Sequence, residues 1–289
     1  MENYECCIGL CVYNSSQGLP FVILNIKKIA NCFKTTHVIF YYDESIDSTL
    51  NIITNFKHEL NELNETFTVD IIVNKNIKTT IRTENISNAR NEIRQKIIES
   101  YNTCDFFIMM DANEYSCIGE INIPVLQEVF EPAHLIKWDA VSFDREAGYY
   151  DTWALSFEDY IYSFFHFQHW KKVVELMRRD FNLLLQKHRE TQDFIPVYSA
   201  FNGFAIYKTH KFIDCEYRNI IDHSLFPVHS INNQIKKMDC QIVNHCTNDT
   251  EHRHFHLQSI QKHNSKICIF PKFLFFKLPN PIIGLRGPA

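Results

Sequence analysis

Glycine is scarce in this sequence, with 7 residues among 289. The two common glycine-rich phosphate loops, G-x-x-x-x-G-K-S/T and G-x-G-x-x-G, do not occur anywhere in the chain. The kinds of nucleotide site that depend on such loops are therefore excluded. Any nucleotide that binds here has to be held in another way.

Clustered positive charge is also absent. Lys and Arg together number 29 against 34 Asp and Glu, the net charge is −5, and no block of basic residues occurs. A surface that follows a nucleic-acid backbone needs clustered basic residues, so broad nucleic-acid binding is excluded. Isolated basic residues are still sufficient to hold a single nucleotide.

The chain has no apolar run near the roughly 18 residues that are needed to cross a bilayer. Its opening residues, 1–5, lack the basic and apolar regions of a signal peptide. The 10 cysteines are scattered and form no C-x-x-C pair, which is typical of reduced thiols in the core of a cytosolic protein. From these features we expect a soluble cytoplasmic protein with no transmembrane segment.

The first half of the chain alternates strand and helix patterns. Short apolar runs at 6–12, 37–42 and 67–73 predict strands, and apolar residues at helical spacing occur between them, at 20–33 and 50–60. This βαβαβ order is the signature of a mainly parallel sheet with right-handed crossovers. Because 45% of the residues are hydrophobic, the chain can bury a full core, and the predicted fold class is α/β.

A fourth apolar run, at 106–110, predicts a strand that is buried on both faces. It ends at the oxygen-bearing side chains of Asp111, Asn113 and Glu114. In open α/β sheets ligands bind beyond the carboxyl ends of the strands, and such oxygens suit a hard divalent cation that in turn binds a diphosphate. The alternative is an Asx-type turn that only ends the strand.

The helix predicted before that strand carries two arginines, Arg90 and Arg94, four residues apart on one face. Both are close in sequence to Asp111. They indicate either a solvated face or a clamp for a diphosphate, because guanidinium groups bind phosphate oxygens with paired hydrogen bonds.

The second half is less regular. The pattern predicts strands at 139–143 and 267–270, a turn and strand at 198–207, and a long aromatic-rich helix over roughly 157–188. Neither repeats nor a linker interrupt the chain, so a single domain is the simplest organisation.

Several short motifs occur along the chain in a recognisable order. They are Cys11-Val12-Tyr13-Asn14 with Gly18-Leu19-Pro20, Tyr41-Tyr42-Asp43 with Ser45, Asp47 and Thr49, Ala89-Arg90-Asn91, Met110-Asp111-Ala112-Asn113, Tyr150-Asp151-Thr152-Trp153-Ala154-Leu155, Phe201-Asn202-Gly203 and Glu251-His252. In this order they resemble a GT-A fold glycosyltransferase of the type found in giant DNA viruses, which is related to fungal capsule-associated mannosyltransferases. The resemblance implies one GT-A (Rossmann-like) domain over 1–289, with a nucleotide-sugar-binding half at 1–115 and an elaborated acceptor-side half at 116–289.

The resemblance also implies the ligands. Such an enzyme takes a sugar-nucleotide donor, usually with Mn²⁺ or Mg²⁺, and moves the sugar to a glycan or glycoprotein acceptor. The cation and an arginine stabilise the charge that develops on the departing nucleoside diphosphate. By this resemblance Tyr13 and Asn14 border the nucleoside and Asp43 accepts hydrogen bonds from the base or ribose. Arg90 contacts the diphosphate or the donor sugar. A UDP-sugar is the favoured donor and a GDP-sugar the next.

The resemblance places Asp111 and Asn113 at the two D-x-D positions that bind metal. The second position commonly carries a carboxylate, so the neutral Asn113 should weaken the metal affinity without abolishing it. His252 would supply a later metal contact. The histidines at 245–256 could instead form a zinc site, although their spacing matches no structural zinc pattern.

An inverting transferase needs a general base near the acceptor hydroxyl. Asp151 is the leading candidate for that base or for acceptor binding, and Glu251 and Asp144 are further candidates for the base. The ring of Trp153 either stacks on a sugar or packs in the core.

Two other functions fit the same residues. A carbohydrate-binding or scaffold protein that keeps the fold with a degenerate site would account for Asn113. Another nucleotide-using α/β enzyme, such as a nucleotidyltransferase, would turn over a nucleoside triphosphate instead of a sugar nucleotide. For a viral protein, the predicted location is the host-cell cytoplasm or the virus factory.

Overall fold

A β-sheet with helices on both faces forms the centre of the computed structural model, which describes residues 1–61, 66–113, 117–146, 148–243 and 248–276. Glu114 and the His245-Cys246 pair, which the sequence singles out, lie outside these ranges. The strands in the described ranges are β1 (Glu5–Val12), β2 (Thr35–Tyr42), β3 (Phe67–Val73), β4 (Phe106–Met110), β5 (Ala140–Asp144), β6 (Ile195–Val197), β7 (Phe204–Lys208) and β8 (Ile267–Phe273).

The strand order is β3-β2-β1-β4-β7-β5-β8-β6. The first four strands of this order are all parallel, and β5 is parallel to β8. β7 is antiparallel to β4 and β5 on its two sides, and β6 is antiparallel to β8. Among the described strands only β6 and β7 therefore run against the rest, which confirms the predicted α/β fold with a mainly parallel sheet.

The helices of the described residues are α1 (Leu19–Ala30), α2 (Thr49–Asn61), α3 (Arg82–Ser100), α4 (Ile123–Glu128), α5 (Pro132–Leu135), α6 (Trp170–Thr191), α7 (Thr209–Phe212), α8 (Val228–Met238) and α9 (Glu251–His263). Successive side chains of a strand point to opposite faces, so Cys7 packs with α3, α6 and α9 while Ile8 packs with α1, α2 and α4. Among these helices, none is both long and apolar enough to span a bilayer.

The prediction of a helix over 157–188 is wrong for its first part, because α6 begins at Trp170. Residues 157–169 instead form isolated bridges and a short 3-10 turn at Phe164–His166. Phe157 and Phe167 are buried here, with 0% and 1% of their surfaces exposed. Burial of these rings in the core thus determines the local conformation, and it overrides the helical spacing.

Gly9 on β1 allows α3 to pack close to the sheet. A Cβ atom at this position would lie 2.5 Å from Cγ2 of Ile93 and 3.0 Å from Sδ of Met109. We expect Gly9→Ala to lower the free energy of unfolding by about 1–3 kcal/mol through overpacking, as measured by chemical denaturation. In the Ile93→Ala background the same change should cost far less, because the crowded methyl group is gone. An equal cost in both backgrounds would show that this contact does not limit the packing of α3.

Candidate active site

The carboxyl ends of β1, β2 and β3 carry a group of polar and aromatic side chains that we call the strand-end shelf, formed by Tyr13, Asp43, Asn74 and Lys78. Nδ2 of Asn74 donates to Oδ1 of Asp43 at 2.9 Å, and Nζ of Lys78 lies 3.2 Å from Oδ2 of Asp43. The same ammonium group lies 4.2 Å from the centre of the Tyr13 ring, which is 56% exposed. The shelf thus offers an exposed ring beside a carboxylate and an ammonium group.

Asn14 shapes the loop that follows β1. Its φ is 46°, a left-handed conformation that Asn tolerates better than most residues. Its backbone N–H donates to Oγ of Ser45 at 3.0 Å, and its side-chain oxygen accepts from the N–H of Ile46 at 2.9 Å. The loop after β1 is therefore fastened to the loop after β2, and Asn14 supports the shelf by this connection.

A second group, the Arg90 cluster, consists of Arg90, Asp111 and Glu251. Nη2 of Arg90 lies 3.1 Å from Oδ1 of Asp111, at the end of β4. Nε lies 3.2 Å from Oε1 of Glu251, an ion pair whose angle is too bent for a hydrogen bond. The guanidinium carbon is 4.4 Å from the centre of the Phe201 ring. Contacts from three directions therefore position this buried cation.

Local structure explains why these groups meet. The backbone N–H of Asp111 donates to the carbonyl oxygen of Gly203 at 2.9 Å, which continues the antiparallel pairing of β4 with β7. Glu251 is the first residue of α9, and Arg90 belongs to α3, which packs against α9. Arg94 does not reach this cluster, because its Nη1 donates to the carbonyl oxygen of Ile213 at 2.7 Å. Of the two arginines that the helical spacing pairs, only Arg90 faces Asp111.

The strand-end shelf and the Arg90 cluster lie on either side of the end of β1. Burial raises the pKa of the Cys11 thiol to about 12, and the charges of Arg90, Asp111 and Asp43 all act on it. Cys11 is therefore within electrostatic reach of both groups. Because β1 lies between β2 and β4, Asp43 and Asp111 follow the ends of the two strands that flank it.

The charges of the site are unbalanced towards the negative. Burial by itself lowers the pKa of Arg90, but the charges of Glu251 and Asp111 outweigh it and raise that pKa. Burial raises the pKa of Glu251, and Arg90 opposes this rise. Burial also raises the pKa of Asp151 to about 6, with a further increase from the charge of Asp111. The carboxyl groups of Asp111, Asp151 and Glu251 therefore act on one another, although Arg90 and Arg82 offset part of the charge of Glu251. A bound cation would relieve the repulsion between the three carboxyl groups.

The expected metal ligands divide into two sets. Nδ2 of Asn113 lies 3.4 Å from Oδ2 of Asp111, so the two side chains share one small region, and their oxygens suit Mg²⁺ or Mn²⁺. His252 contacts Glu251, with 3.5 Å between its Nε2 and Oε1 of Glu251, and Glu251 in turn contacts Arg90. The oxygens of Asp111 and Asn113 suit a hard cation whose remaining coordination positions a diphosphate would fill, whereas His252 contacts Glu251.

His252 is buried and neutral. Its ring stacks on Phe201 with 3.8 Å between centroids, and burial, assisted by Arg90, holds the pKa of His252 well below its usual value. Neither ring nitrogen has a hydrogen-bond partner in the described part of the chain. Neutral imidazole is the form that binds metals. In the described ranges, the group of three His, Cys, Asp or Glu side chains close enough to share an ion is Asp214, Cys215 and His263, so His252 belongs to no such group.

His254 and His256 of α9 are buried in the protein core. The ring of His256 lies between Oγ of Ser199, at 3.0 Å, and Oη of Tyr207, at 3.1 Å, and burial lowers its pKa to about 3. Burial likewise lowers the pKa of His254 to about 4. A zinc site would require these histidines to converge on a shared ion, and among the described residues they do not. His245 and Cys246 are outside that part of the chain.

Asp151 lies within electrostatic reach of the Arg90 cluster, since both Asp111 and Glu251 act on its pKa. Its Oδ1 accepts from the N–H of Ala154 at 3.3 Å, and Oδ1 of Asn202 accepts from the N–H of Asp151 at 3.4 Å. These bonds fix the turn that presents the carboxylate.

Asp144, a further base candidate, is excluded by its position. Nε and Nη2 of Arg189 hold its Oδ2 at 2.8 and 2.5 Å, and the carboxylate is fully buried. A substrate hydroxyl cannot reach a carboxylate that is enclosed in this way.

No protein-family model matches the chain, and no curated protein matches it. Among solved structures, Staphylococcus aureus TarS 1–349 in complex with UDP-GlcNAc has a TM-score of 0.47 at 11% identity, over 99% of this chain and 62% of that chain. The mannosyltransferase PcManGT from Pyrobaculum calidifontis, in complex with GDP-Man and Mn²⁺, has a TM-score of 0.40 at 9% identity, over 93% of this chain and 57% of that one.

A third solved structure, GalNAc-T7 with UDP, GalNAc and Mn²⁺, has a TM-score of 0.43 at 12% identity, over 93% of this chain and 43% of that chain. This chain therefore spans about 60% of the length of TarS 1–349 and less of the others. These similarities are distant and concern the course of the chain, so they do not assign an activity.

Lys78 and Phe201 have roles that the sequence did not reveal. Lys78 lies in a polar loop after β3, and only the folded chain brings it to Asp43 and Tyr13. Phe201 was part of a recognised motif, but its contacts with Arg90 and His252 depend on the approach of α3 and α9. The only available signal for Lys78 was its place shortly after a strand end.

Proposed function

We propose that the protein is a glycosyltransferase that moves a sugar from a nucleotide-diphosphate donor to a glycan or glycoprotein acceptor. The observation that carries this proposal is the buried contact of Arg90 with Asp111 beside the strand-end shelf. A departing nucleoside diphosphate gains negative charge in the transition state. A fixed guanidinium stabilises such charge directly, and a carboxylate contributes by holding a cation that does the same.

The donor would lie along the first half of the chain, 1–115. The exposed ring of Tyr13 would border the base, and the carboxylate of Asp43 would accept hydrogen bonds from base or ribose hydroxyls. Lys78, which holds both residues, adds positive charge on the same side. A UDP-sugar is the favoured donor and a GDP-sugar the next. On the motifs quoted above, we further infer a relation to the giant-virus enzymes and a place in the cytoplasm.

Asp111 and Asn113 would hold Mn²⁺ or Mg²⁺, which when bound supplies positive charge next to the diphosphate oxygens. The protein contributes by orienting the metal-binding side chains and Arg90. Glu251 holds Nε of Arg90 while Nη2 contacts Asp111, so the guanidinium would meet a diphosphate that binds beside Asp111. Glu251 thus acts as a positioning residue through Arg90, and His252 packs behind it on Phe201.

The acceptor would approach from the second half, 116–289, where Asp151 is the proposed base. A carboxylate with a pKa of about 6 is ionised at neutral pH and is a stronger base than an ordinary aspartate. It would take the proton of the acceptor hydroxyl as that oxygen attacks the donor sugar. The turn held by Asn202 keeps the carboxylate in place.

The pH dependence of transfer tests this role. We expect the transfer rate to rise with an apparent pKa near 6, because only the ionised form of Asp151 accepts a proton. Asp151→Asn should reduce transfer by about 10²-fold or more and leave nucleotide binding intact, since Asn retains the oxygen that accepts from Ala154. A profile in the variant that keeps the same inflection near pH 6 would rule out Asp151 as the base.

Asp151→Asn should also be more stable than the original protein at high pH. The folded-state pKa of Asp151 is raised above its unfolded value, so its contribution to stability is present at low pH and lost as the pH rises through about 6. Asp151→Asn removes this loss. Its melting temperature should exceed that of the original protein at pH 8 and match it at pH 4, and a higher value at both pH values would indicate a general packing effect instead.

The function itself is tested with a donor panel. UDP, GDP and ADP are added with and without Mn²⁺ in a thermal-shift assay, and hydrolysis of the corresponding sugar nucleotides is then measured. We expect Mn²⁺-dependent stabilisation by one nucleotide and slow hydrolysis of its sugar derivative. Stabilisation by none of the nucleotides would overturn the proposal. Glycan binding without any donor hydrolysis would favour a non-catalytic carbohydrate-binding protein.

A further inference from the structure

A row of aromatic rings lies next to the turn that carries Asp151. The ring of Trp153 is 5.2 Å from that of Phe165, and Phe165 is 5.6 Å from Trp170. Phe165 and Trp170 are 39% and 41% exposed, and Trp153 is half-buried. Rings that serve only the core are enclosed, whereas adjacent exposed rings provide a surface on which the apolar face of a sugar stacks. We call Trp153, Phe165 and Trp170 the aromatic row.

The row continues into two open depressions of the surface. One, of about 390 Å³, is lined by Gln168, His169, Trp170, Lys171 and Lys172. The other, of about 490 Å³, shares Gln168 and His169 and is completed by Ile235, Lys236, Asp239, Cys240 and Gln241. Amide, imidazole, ammonium and carboxylate groups that converge beside aromatic rings are the groups that bind the hydroxyls of a carbohydrate.

The walls of the larger depression are tied together by the backbone. The N–H of Gln168 donates to the carbonyl oxygen of Gln241 at 3.0 Å, and the N–H of His169 lies 3.3 Å from Sγ of Cys240. The segment before α6 is thereby joined to the segment after α8. Because the backbone of the two segments is already held together, less conformational entropy is lost when a ligand binds.

The charge of this surface differs from that of the whole chain. The residues that line the two depressions include Lys171, Lys172 and Lys236, with Asp239 as their one carboxylate. The chain as a whole carries a net charge of −5. Positive charge is therefore concentrated beside the aromatic row, where it complements an anionic ligand and not a neutral one.

We propose, on the basis of the transferase function above, that the aromatic row and the adjoining depressions form the acceptor subsite, and that the acceptor is an oligosaccharide with carboxylate or phosphate groups. Trp153 follows Asp151 by two residues, so one end of the row is on the same short segment as the proposed base. Sugar units stack on the exposed rings of Phe165 and Trp170, with Trp153 edge-on to Phe165, and the acidic groups meet the lysines at the far end. The acceptor hydroxyl then lies at the end of the row nearest Asp151.

Binding of matched oligosaccharides to the full chain tests this assignment. The probes are galacturonic acid and hyaluronan tetrasaccharides, each compared with its methyl-esterified form, which keeps the sugar skeleton and removes the charge. We expect at least one acidic probe to bind at least 10-fold more tightly than its ester, with an affinity that falls as salt is added. Tryptophan fluorescence reports on the row, because the third tryptophan, Trp138, is fully buried. Equal affinity for acid and ester, or no binding of any probe, would overturn the assignment.

Variants locate the binding surface. Phe165→Ala and Trp170→Ala should each weaken the binding of the acidic probe by about 10-fold or more, as expected when a stacking ring is lost. Lys236→Ala should reduce the preference for acid over ester. Phe21→Ala is the matched control, because Phe21 on α1 is similarly exposed, at 37%, and lies outside the row. Unchanged binding in Trp170→Ala, or a concentration-dependent dimer that this variant abolishes, would show that the row has another partner.

Donor hydrolysis measured in parallel separates the two proposals. If sugar nucleotides are hydrolysed but Phe165→Ala and Trp170→Ala leave the ratio of transfer to hydrolysis and the acceptor KM unchanged, the acceptor subsite is wrong and the transferase remains. If acidic probes bind through the row but no nucleotide is bound or hydrolysed, the surface is a glycan site and the transferase proposal fails.

Discussion

Asp111→Ala is expected to abolish Mn²⁺-dependent nucleotide binding and to reduce donor hydrolysis by at least about 10²–10³-fold. Asp111 supplies the carboxylate of the proposed metal pair, and Asn113 by itself offers only a neutral oxygen to the cation. Arg90 would remain buried next to Glu251, so the fold should survive. Thermal shift with UDP or GDP, with and without Mn²⁺, and hydrolysis of the matching sugar nucleotide measure the two effects.

Two further variants sharpen this expectation. Asp193→Ala is the matched control, because this aspartate is 64% exposed and lies 3.9 Å from Lys137. It should change neither binding nor hydrolysis. Asn113→Asp should increase the affinity for Mn²⁺, since a second carboxylate joins the site. Nucleotide binding that depends on Mn²⁺ as strongly in Asp111→Ala as in the original protein would show that the cation binds elsewhere.

Arg90→Met is expected to have the largest effect on stability, with a loss of about 3–5 kcal/mol in the free energy of unfolding at neutral pH. Methionine fills much of the same volume, but it leaves the buried carboxylate of Glu251 without its counter-charge and near Asp111. Hydrolysis should fall as well, because the guanidinium that stabilises the diphosphate is gone. Urea denaturation and the donor assay measure the two losses.

The pH dependence of this loss identifies its cause. Without Arg90, burial raises the pKa of Glu251 further above its unfolded value, so the variant is penalised at high pH, where the carboxylate is charged. The difference in stability between Arg90→Met and the original protein should shrink as the pH falls towards about 4, the pKa of an unperturbed glutamate. A difference that does not change with pH would point to lost packing on Phe201 instead.

Two comparisons isolate the role of Arg90. The double variant Arg90→Met with Glu251→Gln should recover much of the stability but none of the activity. Arg94→Met, on the same helix, removes a hydrogen bond to the carbonyl oxygen of Ile213 and should leave hydrolysis nearly unchanged. Activity that returns in the double variant would mean that the uncompensated carboxylate of Glu251, and not the loss of the guanidinium, caused the loss of activity in Arg90→Met.

The first half of the fold was predictable from local patterns. The strands at 37–42, 67–73 and 106–110 end where the structure ends β2, β3 and β4, at Tyr42, Val73 and Met110. Alternating or fully apolar runs bounded by polar loops report burial directly, and parallel strands with crossover helices leave few arrangements. The position of Asp111 at a strand end follows from the same pattern.

The second half shows where local patterns fail. Residues 157–169 carry helical spacing, yet their rings enter the core from an irregular segment. β7 pairs antiparallel with β4 and with β5, which are both distant from it in sequence. No local signal specifies these two pairings. The site depends on these pairings, because the carbonyl oxygen of Gly203 holds Asp111 and Phe201 lies beneath Arg90.

The sequence alone determined the class of fold, the strand that ends at Asp111 and the types of side chain available to a cation and a diphosphate, because hydrophobic periodicity and strand ends are local properties. Only the tertiary structure decided which of these side chains meet. It paired Arg90 with Glu251 across more than half of the chain, placed His252 against Glu251 and Phe201, and enclosed Asp144 with Arg189. Such contacts depend on how distant elements pack, and burial then sets the charges and pKa values on which the proposed chemistry depends.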